Sequence, residues 1–252
     1  NKRASWFSHK AENATPYYYN VYLSDFDVTT EITATERAAY FQFTFPQNDS
    51  SFIVVDAFDK GSYIKIIPSE NKITGYTTRN SGGVAGNFKN YFVLQFSKSF
   101  SINYTWSKNG LVKDGLEMQA DHAGAVAGFK TNKGEKINVR VASSFISLEQ
   151  AELNLINEIG NASFKETVAA SKNAWNKVLG IVKAEGGTDE QLKTFYSCLY
   201  RTVCFPQKHY EINAAGKIVH YSPYNGQVLP GYLYAGTGFW DTFRALYPLL
   251  NL

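Results

Sequence analysis

Ten segments with the residue pattern of β-strands follow one another between residues 16 and 147, with no helical pattern among them. They are short and rich in aromatic and β-branched residues, and clusters of Gly, Asn, Ser and Pro separate them. The predicted strands are 18–23, 29–35, 38–45, 52–57, 63–67, 72–78, 91–96, 101–106, 123–129 and 136–143. Such a series is typical of antiparallel sheets packed face to face, so residues 1–147 are predicted to form a β-sandwich domain.

At Ser147 the apolar residues change to helical spacing. Three helices are predicted to begin after Ser147, Ser163 and Thr188, each of which matches a capping box with the Gln or Glu three positions later. They are predicted to end before Gly160, near residue 182 and before Pro206. The first two (residues 148–186) are interpreted as linker helices, and the third as the first helix of an α domain.

A loop-rich stretch follows, with a predicted hairpin of 209–212 and 217–221. The most informative segment for chemistry is residues 236–250, where Phe239, Trp240, Asp241 and Arg244 follow two glycines. A helix starting near Trp240 would place Asp241 in its first turn, where a carboxylate is favoured, and Arg244 beside both residues. An indole, a carboxylate and a guanidinium together at the N-terminus of a helix could bind a sugar. The indole would cover an apolar face of the sugar ring, and the charged groups would bind its hydroxyls. The alternative is structural: an Asp cap, an ion pair and a buried Trp.

Composition narrows the function classes. Aromatic residues make up 15% of the 252 residues, which favours β-structure and is common in carbohydrate-handling proteins. A net charge of +3, without a basic block, gives no electrostatic footprint for nucleic acid or a membrane surface. The longest apolar runs are too short to span a bilayer, and the chain does not open with a signal-peptide pattern. Cys198 and Cys204 are predicted to face opposite sides of one helix, so they form no disulfide, and no zinc-ligand spacing, P-loop or nucleophile elbow is found.

The Trp-Asp-Thr-aromatic-Arg segment at residues 240–244 resembles that of glycoside hydrolase family 92, the exo-acting α-mannosidases. Other parts of the chain resemble the family in the same order: residues 7–12, 17–18, 31–35 and 44–46 its N-terminal sandwich, residues 195–206 the first barrel helix and residues 238–250 the next. The chain departs from the family at residues 15–18, Thr-Pro-Tyr-Tyr instead of Pro-Gly-Tyr-Tyr, and at Gly238-Phe239, where Ser-Leu is common. Neither departure touches Trp240, Asp241 or Arg244.

The resemblance implies an α+β multidomain chain: an antiparallel β-sandwich, linker helices, and at residues 187–252 the truncated start of a catalytic α/α barrel. It also implies a calcium-dependent, inverting exo-α-mannosidase, similar to an α-1,2-mannosidase, that removes terminal mannose from glycans. Trp240 would be the sugar platform, Asp241 would hold hydroxyls, and Arg244 would orient Asp241 or meet the sugar. Phe239 and His9 are further candidates for substrate binding, His9 approaching from the sandwich side.

None of these residues is expected to be the general acid or base. Those groups, the calcium ligands and the remainder of the catalytic domain are expected outside this chain, which alone is expected to be inactive. Because enzymes of this family are usually exported by bacteria, the resemblance implies a bacterial protein in the periplasm or the medium. Two alternatives stay open: a non-catalytic carbohydrate-binding sandwich whose helical tail docks onto another protein, and a sandwich-plus-barrel glycosidase or phosphorylase of another specificity. A binding module needs no Trp-Asp-x-x-Arg segment, and the acid and base residues would separate the two enzymes.

Overall fold

The computed structural model describes residues 4–238, 240 and 242–251, and the fold begins with a two-sheet sandwich. Its strands are β1 (Asn13–Thr15), β2 (Tyr18–Leu23), β3 (Val28–Ala34), β4 (Ala38–Phe45), β5 (Asn48–Asp56), β6 (Ser62–Ile67), β7 (Lys72–Thr77), β8 (Asn90–Phe96), β9 (Ile102–Ser107), β10 (Gly110–Lys113), β11 (Glu117–Ala120), β12 (Ala123–Thr131) and β13 (Glu135–Ser144). A 3₁₀ turn, Pro68–Glu70, joins β6 to β7. The ten predicted strands are confirmed with end shifts of a few residues; β1, β10 and β11 were not predicted.

All strand pairs of the sandwich are antiparallel. One sheet has nine strands in the order β1-β2-β3-β4-β13-β8-β7-β6-β11, and the other has four in the order β10-β9-β12-β5. The two sheets bury a common apolar core, in which Phe129, Ile64, Ile73 and Ile137 are fully buried. The period-2 alternation of β13 places Ile137 and Val139 in this core, as the sequence pattern indicates.

Helices cover the other face of the nine-stranded sheet. Helix α1 (Leu148–Glu158) packs on β13 and β8, and α2 (Phe164–Leu179) packs on β3 and β4. Their contact with the sheet forms a second core, whose buried members are Ala38, Tyr40, Val93, Ala142, Ala151, Leu155, Ile159 and Phe164. The helices interpreted as linkers therefore form the third layer of the sandwich domain's packing. The predicted domain boundaries at residues 147 and 186 stay predictions.

Two of the three predicted capping boxes are complete. Ser163 with Glu166, and Thr188 with Gln191 at the start of α3 (Asp189–Val203), form both reciprocal hydrogen bonds. The Ser147 prediction was half right. The Ser147 hydroxyl accepts from the Gln150 backbone N–H. The Gln150 side-chain amide is buried and donates instead to Asn154 Oδ1 and to the Ile212 carbonyl, so it does not complete the box.

Small sheets follow the third helix. Strands β15 (Tyr210–Ile212), β16 (Ile218–Tyr221) and β17 (Val228–Pro230) form a three-stranded sheet, and β14 (Gln207–Lys208) pairs with β18 (Tyr234–Ala235). The predicted hairpin is confirmed as β15–β16, with Gly216 at φ +70° in its turn. The last described helix is the single turn α4 (Leu246–Leu249).

Candidate functional site

The candidate sugar-binding segment leaves the small sheet β14–β18 at a tight turn. Gly236 has φ +92°, and a Cβ there would lie 3.1 Å from Cδ1 of Phe205. Phe205 precedes Pro206 through a cis peptide bond, just after α3 ends. A glycine is therefore needed to bring the terminal segment alongside the end of the third helix.

Thr242 anchors this segment and was missed by the sequence reasoning. Its side chain is buried, and its hydroxyl donates to the Gly238 carbonyl over 2.9 Å. Its own carbonyl accepts from the Tyr247 N–H at 3.0 Å. Trp240, two residues earlier, is 76% exposed. The Trp240 indole is therefore exposed to solvent on a turn that buried Thr242 stabilises. In the sequence, the threonine of Trp-Asp-Thr was the residue that could have indicated this anchor.

The predicted helix from Trp240 is wrong. Residues 242–245 form bends and turns, and α4 begins only at Leu246. The reason is Pro248, which has no N–H to donate and clashes with the carbonyl four residues before it; it is tolerated in the first turn of a helix but not in its third. A short terminal helix also needs tertiary packing, and Phe243 and Leu250 are exposed.

The Arg244 guanidinium lies over a different ring from the one predicted. In the described part of the terminus, the ring beneath the Arg244 guanidinium is that of Phe243, 5.4 Å from its centroid, and not that of Trp240. Without a helix, the four-residue spacing does not stack Trp240 on Arg244. Phe239 and Asp241 lie outside the described residues, so the predictions for them are unchanged.

His9 lies in the exposed N-terminal segment. Its ring meets Phe7 edge-on at 5.1 Å, and its Nδ1 is 2.5 Å from a carboxylate oxygen of Glu12. The other oxygen of Glu12 accepts from the Tyr19 hydroxyl at 2.7 Å. Hydrogen bonds from His9 and then Tyr19 hold the pKa of Glu12 below its usual value. Within the described part of the chain, no hydrogen bond or ring contact joins His9 to Trp240.

A tyrosine cluster leads into the terminal segment and was also missed. Tyr210 and Tyr232 meet edge-on at 4.8 Å, while Tyr232 and Tyr234 stack at 6.3 Å. Tyr232 and Tyr234 are 61% and 50% exposed, and Arg37 of the sandwich lies over the Tyr210 ring at 5.5 Å. Burial first, and then a hydrogen bond with Tyr234, raises the pKa of Tyr210. In the sequence, the spacing of Tyr232 and Tyr234 could have indicated this cluster, because residues two apart on an extended chain lie on the same side.

An ion pair ties this cluster to the sandwich. Lys208, whose strand pairs it with Tyr234, reaches Glu36 at 2.5 Å. That hydrogen bond with Glu36 raises the pKa of Lys208. Among the described residues, no group of three His, Cys, Asp or Glu side chains converges as a metal site. The tyrosine cluster and this ion pair lie together on the described surface.

The chain belongs to glycosyl hydrolase family 92. Residues 1–144 match the N-terminal domain of the family, and residues 150–252 match its catalytic domain.

Solved structures of the family are similar to this chain over its full length or nearly so. A family GH92 inverting mannosidase of Bacteroides thetaiotaomicron is 45% identical, with a TM-score of 0.96, over 100% of this chain and 34% of its own. A second family GH92 α-mannosidase of that organism is 26% identical, with a TM-score of 0.84, over 98% of this chain and 34% of its own. Its structure has also been solved in complex with mannoimidazole.

Among curated proteins, an uncharacterized secreted glycosidase of Arthroderma benhamiae is 26% identical over 82% of this chain and 30% of its own length. The chain thus spans about a third of the proteins it matches. No helix within the described residues combines the length and the apolar character that crossing a membrane requires.

Proposed function

We propose that this chain forms part of an inverting, calcium-dependent exo-α-mannosidase, similar to an α-1,2-mannosidase, that releases terminal mannose from glycans. The observation that carries the proposal is Trp240. Its indole is three-quarters exposed, on a turn fastened by buried Thr242, in the part of the chain that matches the family's catalytic domain. Similarity to an inverting mannosidase and to an α-mannosidase that binds mannoimidazole supports mannose as the sugar.

In this mechanism, the chain positions substrate. The Trp240 ring stacks on the apolar face of the terminal mannose, and Asp241 accepts hydrogen bonds from its hydroxyls. Arg244, which the structure leaves exposed over Phe243, donates to a hydroxyl or orients Asp241. Phe239 extends the apolar wall, and His9 is a further candidate on the sandwich side.

The proton transfers belong to two carboxyl groups outside this chain. In an inverting hydrolase, one protonates the leaving oxygen and the other activates water on the opposite face, with roughly 6.5–9.5 Å between them. The described residues supply no cluster of acidic or His ligands for calcium, so no step is assigned to the ion at residues of this chain. We propose that calcium binds to groups outside it and contacts sugar hydroxyls.

The alternative of a non-catalytic sugar-binding module is disfavoured, because residues 150–252 match a catalytic-domain model. The secreted relative supports export from the cell, to the periplasm or the medium, as a proposal.

The test uses an enzyme that joins this chain to the rest of a family catalytic domain. Mannose release from α-1,2-mannobiose is measured with and without a calcium chelator, for the parent and for Trp240→Ala. The matched control is Phe26→Ala, an exposed aromatic residue in the β2–β3 turn. Release that stops on chelation and falls in Trp240→Ala alone supports the proposal. Release of another sugar, or none from any α-mannoside, refutes it.

A further inference from the structure

The outer face of the four-stranded sheet carries large side chains that the core does not use. Its inner face packs against the nine-stranded sheet through residues such as Phe129 and Ala125. Because side chains alternate along a strand, the intervening residues face away from the core. They form three cross-strand rows: Trp106–Gly124–Asp56, Tyr104–Val126–Val54 and Ile102–Gly128–Phe52. We call this surface the β9 platform.

Gly124 and Gly128 allow the large side chains of the neighbouring strands to pack flat against the sheet. A Cβ at Gly124 would be 2.2–2.4 Å from three atoms of the Trp106 indole, so the indole rests directly over the glycine backbone. A Cβ at Gly128 would be 2.4 Å from Ile102 and 3.0 Å from Phe52. The absence of Cβ atoms at these two positions of β12 leaves room for the indole and for the Ile102 and Phe52 side chains close to the backbone.

Hydrogen-bonding groups stand at the edge of the indole. The His122 ring lies 5.1 Å from the Trp106 ring, tilted by 60°. Its Nε2 is 2.7 Å from Oδ1 of Asp56, and both side chains are partly exposed to solvent. The platform thus pairs an aromatic ring with an imidazole and a carboxylate of opposite charge when the histidine is protonated.

We propose that the β9 platform binds a neutral saccharide, with Trp106 as the stacking ring and His122 and Asp56 as partners for hydroxyl groups. Apolar faces and adjacent hydroxyls are what a pyranose presents, and the Asp56 carboxylate disfavours an anionic ligand. The proposal of mannose as the sugar rests on the proposed function; the binding of a saccharide does not.

The size of the platform favours a small ligand over a second copy of the chain. Three strands about 4.8 Å apart and three rows of side chains cover roughly 300 Å². A stable protein interface takes roughly 800 Å² from each partner. The face also lies on the side of the sandwich opposite to α1 and α2, which pack on the nine-stranded sheet.

The test is a titration of the ¹⁵N-labelled 252-residue chain with α-1,2-mannobiose and with cellobiose, followed by amide and indole NMR shifts. Saturable shifts at Trp106, His122 and Gly124 are expected, with millimolar affinity for at least one sugar. Trp106→Ala should weaken that affinity at least about tenfold. Phe26→Ala should leave it unchanged. Should Trp106→Ala lose NMR dispersion, Tyr104→Ala replaces it.

Shifts confined to other regions, or no saturable shift with either sugar, overturn the proposal. Shifts at these residues that depend on protein concentration, with a dimer in sedimentation that Trp106→Ala abolishes, also overturn it and identify a second copy as the occupant. Because the readout is binding by this chain, it is separate from mannose release, and either proposal can fail without the other.

Discussion

Asn154 of α1 donates its Nδ2 to Oε2 of Glu211 on β15 over 2.7 Å, although 57 residues separate them in the chain. Both side chains are buried; Glu211 is only 3% exposed. The second oxygen of Glu211 accepts from the Phe145 N–H at 3.0 Å, and Asn154 also donates to the Ser143 carbonyl at 2.9 Å. This network fastens the three-stranded sheet, which precedes the candidate site, to the sandwich and its helical layer.

Glu211→Ala should destabilise the protein strongly. It removes the acceptor of the buried Asn154 amide and of the partly buried Phe145 N–H. An unpaired buried donor costs about 1–3 kcal/mol and a partly buried one less, so a loss of roughly 2–4 kcal/mol is expected. Urea unfolding followed by far-UV circular dichroism measures it. Exposed Glu185→Ala is the matched control and should shift the midpoint little. Equal midpoints for the two variants would show that the network does not stabilise the fold.

The capping box of α2 should be visible in a titration. Hydrogen bonds from the Ser163 hydroxyl and then its backbone N–H hold the pKa of Glu166 below its ordinary value of 4.5. A carboxyl whose pKa is lower in the folded state stabilises the fold above about pH 4.5, and this contribution is lost as the pH falls through the folded-state pKa.

Ser163→Ala should therefore raise the pKa of Glu166 toward 4.5, as measured by carbon-detected NMR of the side-chain carboxyl. It should also flatten the decrease in stability between neutral and acid pH. Thr188→Ala breaks the equivalent box of α3, whose partner Gln191 does not titrate, and should leave Glu166 unchanged. An unaltered Glu166 titration in Ser163→Ala is the contrary result.

Gly124→Ala should disturb the β9 platform. The new Cβ would lie 2.2–2.4 Å from the indole of Trp106, so the ring must move or the strand must shift, at a cost of roughly 1–3 kcal/mol. The change should appear as a shift in tryptophan emission and a lower urea midpoint. Gly86→Ala is the control, since a Cβ there meets nothing within 4 Å. Identical behaviour of the two variants would contradict the placement of the indole on Gly124.

Arg244 should matter to catalysis through its guanidinium geometry. In the enzyme with a full catalytic domain, Arg244→Lys keeps the charge but loses the planar fork, so kcat/KM for an α-mannoside should fall at least about tenfold. The matched control is exposed Arg79→Lys, whose guanidinium pairs with Asp59 on the sandwich. Similar kcat/KM for the two variants would remove Arg244 from the candidate site.

The sequence by itself determined the local structure and the family. Strand alternation, the change to helical spacing at Ser147 and the boxes at Ser163 and Thr188 depend on neighbouring residues, and each appears in the fold. The order of short segments along the chain was enough to indicate family 92, which the matches to both family domains confirm.

Only the tertiary structure decided which distant groups meet. The Asn154–Glu211 hydrogen bond joins α1 to β15. The position of the Trp106 indole depends on the strand register that places Gly124 opposite Trp106. The terminal helix that the spacing predicts is reduced to one turn, because Pro248 interrupts it and a short helix needs packing from elsewhere in the protein. The spacing of apolar residues indicates which face of a helix or strand is apolar. The residues that cover that face come from other parts of the chain, so local spacing cannot identify them.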